Sequence, residues 1–132
     1  RAIKHYSFLV QNEKTDSPLV LNNLAWLLNK ENMPSEALNY IEKAATSVPN
    51  NPNILSTYGA VLSSLSQHEK AIEKSRSAFL LSNNNADIAL EYIKILAKGG
   101  RKTEAKQIAS TIIPVTAAQE AQLNQVKQQF QL

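Results

Sequence analysis

Slid against itself by 34 residues, the chain keeps register through three copies. Pro18 falls on Pro52 and Ala86, Leu24 on Tyr58 and Tyr92, Leu28 on Leu62 and Leu96, and Ala37 on Ala71 and Ala105. A fixed period of this length predicts stacked units, each too small to bury its own apolar face. The units are helical. In the first, Leu21, Leu24, Ala25 and Leu28 recur at i, i+3, i+4 and i+7, one face of an amphipathic helix. A break follows at Asn32-Met33-Pro34. A second helix carries Ala37, Ile41 and Ala44; it starts either at Pro34, since proline suits a first turn, or behind a capping Ser35. It stops at Val48-Pro49-Asn50-Asn51, because proline cannot continue a helix and Asn favours turns. Small residues at Ala25/Gly59 and at Ala37/Ala71/Ala105 let the two helices of a pair approach closely.

Composition narrows the choice further. With 3 Gly and 5 Pro, the chain has too few turn residues for a strand-and-turn protein of 132 residues. Hydrophobic residues at 43% and charged residues at 19% exclude a disordered tail. Cysteine is absent, which excludes disulfides, thiolate metal sites and a Cys nucleophile. No apolar run approaches the ~18 residues of a membrane-spanning helix. The expected fold is all-α, a solenoid of antiparallel helix pairs.

The period divides the chain into repeats at 18–51, 52–85 and 86–115, the last ended early by Pro114. Residues 1–17 hold Ala2, Tyr6 and Leu9, a pattern like the second helix of a preceding repeat. A chain that opens at Arg1 inside half a repeat is expected to be the tail of a longer array. Residues 116–132 are expected to form a C-terminal capping helix. Thr116 and Gln119 make its capping box, and Leu123, Val126 and Phe130 its apolar face. The other face is rich in glutamine, polar and outward as the end of a solenoid requires.

The first repeat reads L-x2-L-A-x2-L…A-x3-I…P (Leu21, Leu24, Ala25, Leu28, Ala37, Ile41, Pro49). The second reads L-x2-Y-G-x2-L…A-x3-S (Leu55, Tyr58, Gly59, Leu62, Ala71, Ser75). Both resemble the tetratricopeptide repeat, W-x2-L-G-x2-Y…A-x3-F…P over 34 residues. The third repeat departs most: Ile93 and Ile112 stand where small residues are usual, and Asn83 replaces the proline that closes the second. The resemblance implies a right-handed superhelix that binds protein segments along its concave side.

Three strings carry a narrower resemblance: LNNLAWLL (Leu21–Leu28), NNPNILSTYGAVL (Asn50–Leu62) and LAKGGRKTEAK (Leu96–Lys106). They are similar to the tetratricopeptide-repeat lipoproteins associated with the PEP-CTERM/exosortase protein-sorting and exopolysaccharide systems of Gram-negative bacteria. The second repeat departs from that group, with Gly59-Ala60 where a G-W pair often stands. The resemblance implies a role in the bacterial envelope, in the periplasm or attached to the outer membrane. Without it, the cytoplasm is the default.

Little in the chain suggests catalysis. His5 and His68 lie at helix edges or turns, and neither has a second ligand at metal spacing. Gly99-Gly100-Arg101-Lys102 lacks the preceding strand and the G-x4-G-K-[ST] spacing of a phosphate loop, so its glycines are assigned to a turn. No enzyme activity, cofactor or metal is expected.

Binding is better supported. In stacked pairs the first helices line the concave surface. Off their buried stripes they carry Leu19, Asn22, Asn23, Trp26, Asn29 and Lys30 in repeat one, and Asn53, Ser56, Thr57, Ala60, Ser63 and Ser64 in repeat two. Repeat three contributes Asp87, Leu90, Glu91, Lys94, Ala97 and Lys98. The candidate binding residues are Asn22, Asn23, Trp26, Asn29, Thr57, Lys94 and Lys98. Asn, Ser and Thr offer donors and acceptors to an extended peptide, or to sugar hydroxyls. Chaperone-binding relatives hold a terminal carboxylate with Lys and Arg, whereas Asp87 and Glu91 here would repel one. Trp26, the single Trp, either anchors a ligand or fills the gap beside a neighbouring repeat. The net charge of +3 is concentrated around Lys94, Lys98, Arg101, Lys102 and Lys106. No aromatics interleave with these, which argues against nucleic acid. They are expected to form a solvated end, with Glu69 and Glu73 pairing to Lys70 and Lys74 within their own helix. The expected partner is a protein or peptide segment. The alternatives are a polysaccharide or self-association.

Overall fold

Pro18, Pro34 and Pro52 each occupy the first turn of a helix, where the missing proline N–H costs nothing. The computed structural model describes residues 3, 4 and 17–132. Their helices are α1 (Pro18–Lys30), α2 (Pro34–Ser47), α3 (Pro52–Ser64), α4 (His68–Leu81), α5 (Ala86–Lys98), α6 (Lys102–Thr111) and α7 (Ala117–Phe130). No strand occurs among the described residues. Of the two starts open for α2, the structure has Pro34; Met33 precedes it, and no side chain caps the turn. The expected Ala2, Tyr6 and Leu9 pattern, with His5, lies outside the described residues. Ile3 and Lys4 are helical, and Ile3 packs on the core of the first helix pair.

The helices pair as α1 with α2, α3 with α4 and α5 with α6. Each first helix also touches the next first helix, α1 on α3, α3 on α5 and α5 on α7. This gives two layers, α1, α3, α5 and α7 in one, α2, α4 and α6 in the other. The core follows the period. Leu21, Leu24, Ala25 and Leu28 are buried with Ala37, Ile41 and Ala44, and α3 closes that cluster with Ile54 and Val61. Tyr92, Ile93 and Leu96 of α5 are buried with Ala105 and Ala109 of α6 and with Leu123 and Val126 of α7.

The turns inside the three pairs are the same motif. Asn32, Ser66 and Gly100 stand 34 residues apart and all have positive φ, 63°, 60° and 81°. The following amide in each case reaches back to close the helix: Met33 N to Leu28 O at 2.9 Å, Gln67 N to Leu62 O at 2.9 Å, Arg101 N to Leu96 O at 2.8 Å. This left-handed helix end satisfies a carbonyl that would otherwise lack a partner. Between pairs, Asn does related work. Asn51 Oδ1 accepts from the amides of Asn53 and Ile54, and Asn85 Oδ1 from that of Ile88. Asn83 and Asn84 also take positive φ, so two asparagines turn the chain where the repeat pattern has proline.

Close packing explains one small residue. A Cβ on Gly59 would sit 3.1 Å from Ala71 O and from Ser75 Cβ, so α3 and α4 touch backbone to backbone there. At the matching place α5 carries the fully buried Ile93, and α5 and α6 share less of an interface than the earlier pairs.

Candidate binding groove

The first-helix layer presents two hollows side by side. One, of about 350 Å³, is lined by Leu19, Asn22, Asn23 and Trp26 of α1, Asn53, Ser56 and Thr57 of α3, and Asp87, Ile88 and Glu91 of α5. The other, of about 180 Å³, is lined by Trp26, Asn29 and Lys30, then Ala60, Ser63 and Ser64, then Glu91, Lys94, Ile95 and Lys98. Trp26 and Glu91 border both and form the ridge between them. A third hollow of about 180 Å³ adjoins the second across Lys94 and Lys98, and its far wall is Gln122, Gln125, Val126, Gln129 and Phe130 of α7. The groove therefore crosses four helices.

All seven sequence-derived candidates line this surface. Asn22, Asn23 and Thr57 lie in the first hollow, Asn29, Lys94 and Lys98 in the second, and Trp26 in both. Two of the broader groove positions fall elsewhere. Leu90 is 1% exposed, drawn into the core, and Ala97 packs against the same cluster. Ile88 and Ile95 are also buried but border the hollows from the core side. The glutamines of α7 after Gln119 are exposed, and three of them border the groove as well. Gln122, Gln125 and Gln129 turn to the concave side, and Gln119 Nε2 donates to Asp87 Oδ1 at 3.1 Å, tying α7 to α5. The Thr116–Gln119 capping box is present.

Trp26 is half-buried, and Lys30, one turn on, places Nζ 5.0 Å from its ring centroid. This cation–π contact holds the ring against its own helix. Electrostatics split along the helix axes. Asp87 and Glu91 make the first hollow acidic, whereas Lys30, Lys94 and Lys98 make the second basic, with Glu91 facing Lys94 at 3.8 Å. The basic cluster seen in sequence is thus divided. Arg101 leaves it to pair with Glu69 on α4, Nη2 to Oε1 and Oε2 at 3.1 and 3.0 Å. That contact replaces the expected pairing of Glu69 within its own helix, and Lys74 sits 5.2 Å from the Tyr58 ring centroid. Asn22 Oδ1, Asn29 Oδ1 and Ser63 Oγ are buried in the groove without a hydrogen-bond partner.

Where α5 packs on the opposite layer, Tyr92 forms a cluster with Arg76 of α4 and Glu104 of α6. Arg76 Nε donates to Tyr92 Oη at 3.0 Å, and Tyr92 Oη donates to Glu104 Oε2 at 2.8 Å. Hydrogen bonds from Arg76 and Tyr92 hold the Glu104 carboxyl below the usual carboxylate range. Burial and the bond to Glu104 push the Tyr92 phenol up. His68 begins α4, half-buried, and no three His, Cys, Asp or Glu side chains converge as a metal site among the described residues.

No protein-family model and no curated protein matches the sequence. Solved structures do match. MamA from AMB-1 superposes with a TM-score of 0.64 at 17% identity, over 96% of this chain and 68% of that one. A tetratricopeptide repeat protein from Parabacteroides merdae ATCC 43184 superposes with a TM-score of 0.66 at 16% identity, over 96% of this chain and 53% of that one. At such identities the likeness concerns the fold. The chain has the all-α solenoid fold of tetratricopeptide-repeat proteins.

Proposed function

We propose that the chain is a non-catalytic scaffold that holds a segment of another protein in its concave groove. The observation behind this is the continuous lining of mixed polar and apolar side chains contributed by α1, α3, α5 and α7, centred on a half-buried Trp26. Polar side chains that already carry both donors and acceptors suit an extended backbone, which needs both along its length. The resemblance of residues 21–28, 50–62 and 96–106 to envelope lipoproteins leads us to place the task in bacterial protein sorting or exopolysaccharide assembly, at the periplasm or outer membrane. Contact with the polysaccharide itself is the alternative, favoured by a Trp ring flanked by amides and hydroxyls.

Selection from a random peptide library on the immobilised chain tests the proposal. We expect enriched peptides whose binding is lost in Trp26→Ala and in Ser64→Trp, with both variants keeping the wild-type helical circular dichroism. Peptides that bind both variants as well as wild type would place recognition outside the groove and overturn it. Binding of alginate that quenches Trp26, in the absence of any groove-dependent peptide, would favour the carbohydrate alternative.

A further inference from the structure

The groove divides by charge along its helix axes, and the two sides do not suit the same ligand. We propose that the bound protein segment is acidic and lies in the lane formed by the C-terminal halves of α1, α3 and α5 and continued by α7, its carboxylates meeting Lys94 and Lys98. This rests on the reading of the groove as a protein-binding surface and names the partner's chemistry.

Charge complementarity carries the argument. Lys30, Lys94 and Lys98 face a single carboxylate in this lane, Glu91, and that group already faces Lys94 at 3.8 Å. Lys98 has no ion pair among the described residues. Asp87 and Glu91 make the neighbouring hollow repulsive to the same ligand, so the carboxylate side chains have one lane open to them. Lysine is a flexible point charge, suited to carboxylates spaced along a chain more than to one fixed planar group.

A second observation concerns the polar floor. Ser63 is 7% exposed, lines the lane, and its Oγ has no hydrogen-bond partner; Asn29 Oδ1 beside it lacks one too. A buried polar atom without a partner is costly, and a turn of the Ser63 side chain towards the lane lets a ligand supply one. Beyond Lys94 and Lys98, the amides of Gln122, Gln125 and Gln129 add donors and acceptors without charge. Four helices at roughly 8–10 Å between axes make a lane of about 24–30 Å. An extended segment of roughly seven to nine residues would cover it.

Fluorescence anisotropy of labelled nonapeptides on the full chain tests this, the probes being an alternating Glu-Ser peptide and its Lys-Ser counterpart. We expect the Glu-Ser peptide to bind, to weaken steeply between about 50 and about 300 mM NaCl, and to lose about tenfold or more with Lys98→Glu and with Lys94→Glu. Lys102→Glu, outside the lane, should leave binding unchanged. Equal binding of the two peptides, or equal loss with Lys102→Glu, overturns the proposal. If library peptides require Trp26 and are blocked by Ser64→Trp but carry no Asp or Glu and ignore Lys98→Glu, the groove function stands and the acidic partner falls. If no peptide depends on the groove, both fall. Displacement of the Glu-Ser peptide by alginate at a lower carboxylate concentration would assign the lane to an anionic polysaccharide and also overturn the proposal.

Discussion

Arg76 of α4 and Glu104 of α6 are joined across 28 residues of sequence, one guanidinium nitrogen reaching both carboxylate oxygens at 3.1 and 2.8 Å. Tyr92 of α5 lies between them and bonds to each. The arrangement echoes the preceding junction, where Tyr58 donates to Glu42 at 3.5 Å. Glu42 and Arg76 occupy equivalent places in successive repeats, so the same junction is built twice with opposite charge on the earlier helix.

Glu104→Gln should destabilise the chain at neutral pH by about 0.5–1 kcal/mol, the range of a partly solvated pair, since its side chains are 42% and 32% exposed. The carboxyl is held low in the folded state, so its contribution is full above the ordinary carboxylate range and fades as pH falls through the depressed value. Thermal melts of both proteins should therefore converge as pH falls through that depressed value. The Tyr92 phenol is held high, so its neutral form adds stability that is lost only as pH rises beyond the ordinary tyrosine range. A difference between wild type and Glu104→Gln that does not shrink as the pH is lowered would contradict the cluster.

Ser75→Ala should leave stability unchanged or raise it by up to about 1 kcal/mol. Ser75 is fully buried between α3 and α4, and its Oγ has no partner. The third repeat already has Ala109 at that place, also buried. Urea denaturation checks the sign; a loss above ~1 kcal/mol would mean the hydroxyl is bonded.

The three left-handed turns predict opposite effects at equivalent positions. Ser66→Gly should stabilise by about 0.5–1 kcal/mol, since glycine takes positive φ without the Cβ penalty. Gly100→Val should destabilise by about 1–2 kcal/mol at φ 81°, although nothing lies within 4 Å of its Cβ position. Chemical denaturation of both variants separates backbone strain from steric crowding.

Leu123→Ala should cost about 2–3 kcal/mol through the cavity left against α5. In a stacked array the damage stays local. Hydrogen exchange should quicken in α5 to α7 while Leu21, Leu24 and Leu28 keep their protection. Uniform loss of protection along the chain would contradict nearest-neighbour stacking.

The period made the helix pairs, their buried stripes and the glycine turn at Gly99-Gly100 legible, because burial of one helical face imposes spacing on the sequence. The place of α7 in the concave layer was also within reach. The same 34-residue step carries Ala89, Tyr92 and Leu96 onto Leu123, Val126 and Phe130, but Pro114 and the run of glutamines mask the register. Which flank of α5 is buried was not legible. Leu90, Ile88 and Ile95 are all buried, so α5 is covered on more than one flank by its neighbours in both layers, which periodicity within one helix does not encode. Nor does spacing reveal Arg76 meeting Glu104, or Arg101 meeting Glu69, since both depend on side chains converging from separate helices.

The most direct test of the groove is amide chemical-shift mapping during titration with a peptide selected on the wild-type chain. Shifts confined to α1, α3, α5 and α7, strongest near Trp26, Ser63 and Lys94, are the predicted result. Shifts centred on α2, α4 and α6, with the Trp26 indole unmoved, would contradict it.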